Sequence, residues 1–143
     1  MKGFENILVP LDFSEYSTRI LGTALNVLAD GGVVTIMHVV EWLPAVTEGT
    51  FGIDPHRKDI EKVKALSLEK LGEMAKAHPG QGIRTKVKEG KPATVILNVV
   101  RELEPDLVVM GSHGRSKLDH LLIGSVTERV IRKAPCPVLT VKF

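Results

Sequence analysis

Leu107-Val108-Val109-Met110 runs straight into Gly111-Ser112-His113-Gly114. Four apolar residues in succession, without the alternation of a half-exposed strand, read as a short strand covered on both faces. Such a strand belongs to a parallel sheet, whose strands are joined by crossover segments, usually helices. The preceding segment supplies one helix. Gly90-Lys91 leads to Pro92, which the first turn tolerates, and Ala93, Ile96, Val99, Val100 and Leu103 recur at helical spacing before Pro105-Asp106 breaks the pattern. The following segment supplies another, opening at Gly124-Ser125 and running to Lys133, with Pro137 to Val141 as a last apolar strand.

Outward from this unit the pattern repeats. Ile7-Leu8-Val9-Pro10-Leu11 is a second continuously apolar strand, and Asp12-Phe13-Ser14-Glu15 leads from it into a helix. Ser14 is placed to cap that helix, Tyr16, Ile20, Leu21, Ala24, Leu25 and Leu28 form its apolar positions, and Asp30-Gly31-Gly32 is expected to end it. Val33 to Val40 is a further buried strand. Residues 41–55, with Pro44, Gly49, Gly52 and Pro55, make the one long loop. From His56 to Ala77 an amphipathic helix is expected, with Ile60, Val63, Leu66, Leu71, Met74 and Ala75 as its apolar stripe. Pro79-Gly80-Gln81-Gly82 stops it. Ile83 to Lys88 alternates more and reads as a strand near a sheet edge. The order βαβαβαβαβ predicts an α/β fold: one domain over residues 1–143, with an open, doubly wound, mainly parallel five-stranded sheet and helices on both faces.

Composition narrows the function classes. The chain has 143 residues, 43% of them hydrophobic and 25% charged, as in globular proteins. Nineteen Lys and Arg against 17 Asp and Glu are interspersed, and the densest basic runs, Arg57-Lys58 and Arg132-Lys133, are two residues long. A reader of nucleic-acid backbone needs a clustered basic face, so no nucleic-acid partner is expected. The single Cys136 excludes an intrachain disulfide and fits a reducing compartment. The apolar run after Lys2 and Glu5 is too short for a signal peptide, and no stretch approaches a membrane span. A cytoplasmic protein without membrane contact is expected.

In an open parallel sheet, ligands bind outside the carboxyl ends of the strands where strand order reverses. The residues that qualify are Asp12 and Phe13 after one strand, Val39, Val40 and Glu41 after another, and Met110 through Ser125 at the end of the strand that begins at Leu107. Gly111, Gly114 and Gly124 would let backbone amides approach an anion, and Ser125 sits where a helix begins, a ready phosphate site. The same glycines also suit tight turns alone. Arg115 and Lys117 offer countercharge or are simply solvated. Neither G-x-G-x-x-G after the first strand nor G-x-x-x-x-G-K-[ST] is present, which argues against a dinucleotide enzyme or a P-loop hydrolase. His38, His56, His78, His113 and His120 form no short-range metal pattern, and no metal site is expected. No G-x-S-x-G elbow is present and no catalytic residue is assigned. Trp42 and Phe51 in the long loop would cover the site, join a partner surface or pack. For Asp12 three roles stay open: ribose or base recognition, Mg²⁺ beside phosphate, or capping of local amides.

Gly111-Ser112-His113-Gly114-Arg115-Ser116, nine residues between Gly114 and Gly124, and then Ser125 and Val126 together resemble the G-x2-G-x9-G-[ST] motif of ATP-binding universal stress proteins. Ile7 to Ser14 resembles that family's first strand and loop, and Ala134-Pro135-Cys136-Pro137-Val138-Leu139 its closing strand. The resemblance implies ATP as ligand. Asp12 would contact ribose or adenine, Pro10, Leu11 and Val39 would shape the base pocket, and Met110 and Gly111 would lie near the sugar and first phosphate. Gly114, Gly124, Ser125 and Thr127 would surround the phosphates, with Val126 at the loop-to-helix junction. It implies a nucleotide-responsive binding or regulatory protein of the stress response, with any Mg²⁺ held mainly through phosphates. It also implies a homodimer through the C-terminal strand and an unidentified protein partner. A slow Mg²⁺-dependent ATP hydrolase and an AMP- or flavin-binding module are the alternatives.

Overall fold

The computed structural model describes residues 2–41, 57–113 and 123–143. The chain runs β1 (Phe4–Pro10), α1 (Ser17–Asn26), β2 (Leu28–Val40), α2 (Arg57–Lys76), β3 (Ile83–Glu89), α3 (Pro92–Leu103), β4 (Leu107–Gly111), α4 (Ser125–Lys133), β5 (Val138–Val141). The strands form one parallel sheet in the order β3-β2-β1-β4-β5. The predicted architecture is therefore the observed one. From β1 the chain builds outward through β2 to β3 and then returns to β4 on the other side of β1. The strand order thus reverses between β1 and β4, where Ile7 pairs with Leu107 and Leu8 with Val108.

The apolar runs are continuous because each face of the sheet has its own core. Ile7, Val9, Val34, Ile36 and Val109 face α1 and α2 and pack with Ile20, Leu21, Ala24 and Leu71. Leu8, Met37, Val39, Val108 and Met110 face the other way and pack with Ile96, Val99 and Val100 of α3 and Val130 of α4. Alternate residues of one strand thus serve opposite cores. β3 pairs only with β2 and is half-buried or exposed along its length, the edge strand its alternation predicts. Pro92 occupies the first turn of α3, as read from the sequence.

The structure corrects several local expectations. Ser14 does not cap α1, which begins at Ser17 after Tyr16 without a side-chain cap. Instead Asp12 Oδ1 accepts the Ser14 N–H at 2.9 Å, and the Ser14 carbonyl accepts the Ser17 N–H at 3.1 Å. An Asx turn takes the place of the N-cap because Asp12 reaches the loop backbone first. Asp30-Gly31-Gly32 does not end α1 either. The helix stops at Asn26, Leu28 already belongs to β2, and the three residues lie in an irregular stretch of that strand. Pairing with β1 shifts register there, from Phe4 opposite Leu28 to Asn6 opposite Val33, and Gly31 takes φ +77°. Glycine tolerates that conformation, so the pair marks a bulge and not a stop.

In α2 Ile60, Leu71 and Met74 of the expected stripe face the core, but two of its members do not. Val63 and Leu66 are exposed at 45% and 58%, while Ser67 is buried. The Ser67 hydroxyl donates to the Val63 carbonyl one turn back at 2.7 Å, which satisfies it without a partner outside the helix. The long loop expected over residues 41–55, with Trp42 and Phe51, lies outside the described residues beyond Glu41. Among the described residues no helix is long and apolar enough to cross a membrane.

Candidate functional site

At the strand-order reversal, the end of β1 is held by main chain and by one histidine. The Leu11 N–H donates to the Met37 carbonyl at 2.8 Å, extending the β1–β2 pairing past the strand. The Leu11 carbonyl lies 2.7 Å from His38 Nδ1, which therefore carries the proton. Leu11's side chain belongs to the α1–α2 core, so only its backbone reaches the crevice. Phe13 then turns the chain at φ +60°, a conformation that costs a bulky residue roughly 1–2 kcal/mol. Its ring centroid lies 4.3 Å from that of His38, with Lys70 Nζ 5.1 Å from the ring centre, and these contacts hold the turn. Asp12 is thus fixed between a pinned strand end and a constrained turn.

The end of β4 is stitched to the start of α4. Ser112, 2% exposed, donates its N–H to the Val141 carbonyl at 2.9 Å, and its own carbonyl accepts the Gly124 N–H at 2.8 Å. Thr127, 4% exposed, donates its hydroxyl proton to the Gly111 carbonyl at 2.8 Å. Thr127 Oγ1 can then offer a ligand only its lone pairs. Gly124 is the N-cap of α4 at φ −59°, ψ 149°, and its carbonyl accepts the Glu128 N–H, the first bond of the helix. The amides of Ser125, Val126 and Thr127 precede that bond and are the donors a helix start leaves open. Ser125 is exposed beside them and Val126 packs against the core under α3 and α4.

The glycines divide in role. Gly124 has an ordinary backbone angle, so the angle does not demand glycine. At Gly111 a Cβ would come within 2.9 Å of Phe143 Cζ and 3.0 Å of Ile20 Cδ1. Its need for glycine is therefore side-chain packing, where Phe143 stacks on Tyr16 at 3.8 Å. Gly114, Arg115, Lys117 and His120 lie outside the described residues.

Pro10, Leu11, Asp12, Met110, Gly111 and Gly124 to Thr127 come together at the ends of β1 and β4. Val39 is on β2 next to β1, and its side chain shares a core with Met110. Sequence reasoning gave no structural role at the site to His38 and Ser112, which pin these strand ends, or to Tyr16 and Phe143, which stack on each other. Ser112 stood in the motif as an unspecified position, and no local pattern marked His38 as the partner of Leu11. His113 Nδ1 lies 2.9 Å from Ser112 Oγ, while its Nε2 is buried without a partner among the described residues. No group of three or more His, Cys, Asp or Glu gathers among the described residues in a way that could hold a metal ion.

The family model described as the Universal stress protein family matches residues 3–142. The chain belongs to that family. Universal stress protein MJ0531 of Methanocaldococcus jannaschii is 35% identical over 143 residues, covering 97% of this chain and 82% of the relative. Universal stress protein YxiE of Bacillus subtilis is 32% identical over 148 residues, covering 97% and 99%. A solved universal stress protein UspA from Lactobacillus plantarum has the same fold, with a TM-score of 0.75 at 23% identity, covering 99% of this chain and 100% of that one. In this universal stress protein the open amides at the start of α4 and the pinned carboxylate of Asp12 lie at the strand ends, while Val39 and Met110 turn their side chains into the core with α3 and α4.

Proposed function

We propose that this universal stress protein binds ATP across the ends of β1 and β4 and serves as a nucleotide-responsive binding protein in the stress response. The observation that carries the reading is the doubly stitched start of α4. Two hydrogen bonds, Gly124 N–H to Ser112 and Thr127 Oγ1–H to Gly111, hold three open amides at the crevice end of the sheet. A rigid set of donors at a helix start suits phosphate oxygens, and the helix dipole adds to it. Asp12 would accept from ribose hydroxyls, with Val39 beside the base and Met110 near the sugar and first phosphate. Any Mg²⁺ would be carried mainly by the phosphates. Positioned donors without an assigned general base support binding with slow or absent hydrolysis. The edge position of β5, with Leu139 and Ile131 exposed, supports a homodimer through that strand.

Gly124→Val tests the cradle. The backbone angle at position 124 accepts valine, so the variant is expected to fold while its side chain intrudes on the approach to the amides. ATP affinity should fall by about tenfold to a hundredfold, the worth of one charge-assisted hydrogen bond, with adenosine affinity nearly unchanged. Calorimetry on both ligands decides it. Equal losses for adenosine and ATP remove the phosphate assignment, and multiple-turnover ADP release at several per second would replace binding protein by enzyme.

A further inference from the structure

Of the two edges of the sheet, β3 is the one two strands away from β4 and its crevice. The Gly82 carbonyl accepts the Val34 N–H at 2.8 Å and the Gly90 N–H donates to the Val40 carbonyl at 3.0 Å, so even-numbered residues point their backbone groups at β2. Backbone direction alternates along a strand, which turns the N–H and C=O groups of Thr85 and Val87 outward. No described residue pairs with them there.

The side chains sort by the same alternation. Ile83 and Val87 pack into the core with α1 and α2, and Glu89, the only acid of this seven-residue strand, falls on their side. Arg84, Lys86 and Lys88 share the other face, where Lys86 meets Glu102 of α3 at 3.3 Å. Arg84 and Lys88 are exposed, and among the described residues neither makes an ion pair. Next to the edge on the α2 side stands Leu68, 48% exposed. Lys70, Glu73 and Ala77 face α1 across a groove, and Leu68 lies about 200° around the helix from Lys70, on the flank away from α1. Because α2 overlies β2 and β3, that flank borders the β3 edge.

We propose that the β3 edge docks an extended acidic segment of a partner protein, added as a further strand with alternating acidic and apolar side chains. Its backbone would bond Thr85 and Val87, its carboxylates would lie beside Arg84, Lys86 and Lys88, and its apolar side chains beside Val87 and Leu68. Main-chain pairing supplies affinity in such an addition, and alternate side chains supply specificity. A second copy of β3 fits poorly. Antiparallel pairing centred on Lys86 sets Lys86 across from Lys86 and Arg84 across from Lys88, and like charges directly opposite are destabilising. The same cations that oppose self-pairing select a strand of the opposite sign.

The test titrates acetyl-EVEVEVE-amide into the full-length, isotope-labelled chain and follows amide resonances. Saturable shifts are expected at Thr85 and Val87. Binding should be about tenfold weaker for the charge-reversed acetyl-KVKVKVK-amide, and about tenfold weaker when two adjacent central residues of the acidic peptide are N-methylated, since one of any two adjacent N–H groups faces β3. Arg84→Glu combined with Lys88→Glu changes two exposed side chains and is expected to fold, and in that variant the lysine peptide should bind about tenfold more tightly than the acidic one. Absence of saturable shifts, or equal binding of the N-methylated peptide, overturns strand addition. Equal binding of the two peptide signs overturns the charge assignment. Shifts at these amides that follow the concentration of the chain alone would give the edge to a second copy, and equal binding of oligothymidylate would make it a general polyanion surface; either result overturns the proposal. Since β2 and β1 separate β3 from β4, the outcome stands whether or not ATP binds.

Discussion

Thr127→Val asks whether the hydrogen bond from α4 to β4 holds the crevice in shape. Valine has nearly the shape of threonine, so the change removes the donor and leaves the packing of a residue that is 4% exposed. The Gly111 carbonyl then loses its partner at 2.8 Å. A net hydrogen bond contributes about 0.5–1.5 kcal/mol, and an acceptor left unpaired costs about 1–3. Gly111 is half-buried, so a loss near the middle, about 1.5 kcal/mol, is expected, or roughly 5 °C in Tm for a domain of this size. Denaturant unfolding monitored by circular dichroism reads the stability, and calorimetry reads ATP. With the first turn of α4 loosened, its amides lose their preorganisation and ATP affinity should fall by about tenfold. Thr127→Ser keeps the donor and should stay within about threefold of wild type in affinity. A valine variant as stable as wild type and unchanged in ATP affinity would refute the reasoning, because the bond would then be holding nothing.

Two further expectations concern the chain's closing segment. Burial pushes the Cys136 thiol up, partly offset by a backbone hydrogen bond, and the Asp106 carboxylate adds to the rise. A raised pKa means less thiolate at a given pH, so at pH 8 a thiol reagent should react more slowly with the native chain than with the denatured one; equal rates would contradict this. Light scattering should give twice the chain mass across a broad micromolar range, and Leu139→Lys on the exposed edge of β5 should shift it toward the monomer. A wild-type monomer throughout that range would end the dimer proposal.

The parts of the fold legible in the sequence are those written in local chemistry. Ile7 to Leu11 and Leu107 to Met110 announce buried parallel strands because both of their faces must be apolar. Pro92 announces a helix start because its missing N–H is not needed there. Gly124-Ser125 marks the start of α4, whereas the place where strand order reverses, between β1 and β4, is set by how the strands pair and is not contained in the element order.

What only the tertiary structure decided were the choices between locally equivalent partners. Ser14 and Asp12 can both bond backbone amides, and the turn at Phe13 gave the task to Asp12. Val63 and Leu66 fit the helical period as well as Ser67 does, but packing turned Ser67 inward, where a bond to Val63 satisfies it. Gly111 has no room for a side chain because Phe143 and Ile20 close in on it, contacts from opposite ends of the chain. Local sequence carries period, propensity and charge. A hydrogen bond or a close approach between distant residues depends on where the folded sheet brings them, and no window of sequence contains that distance.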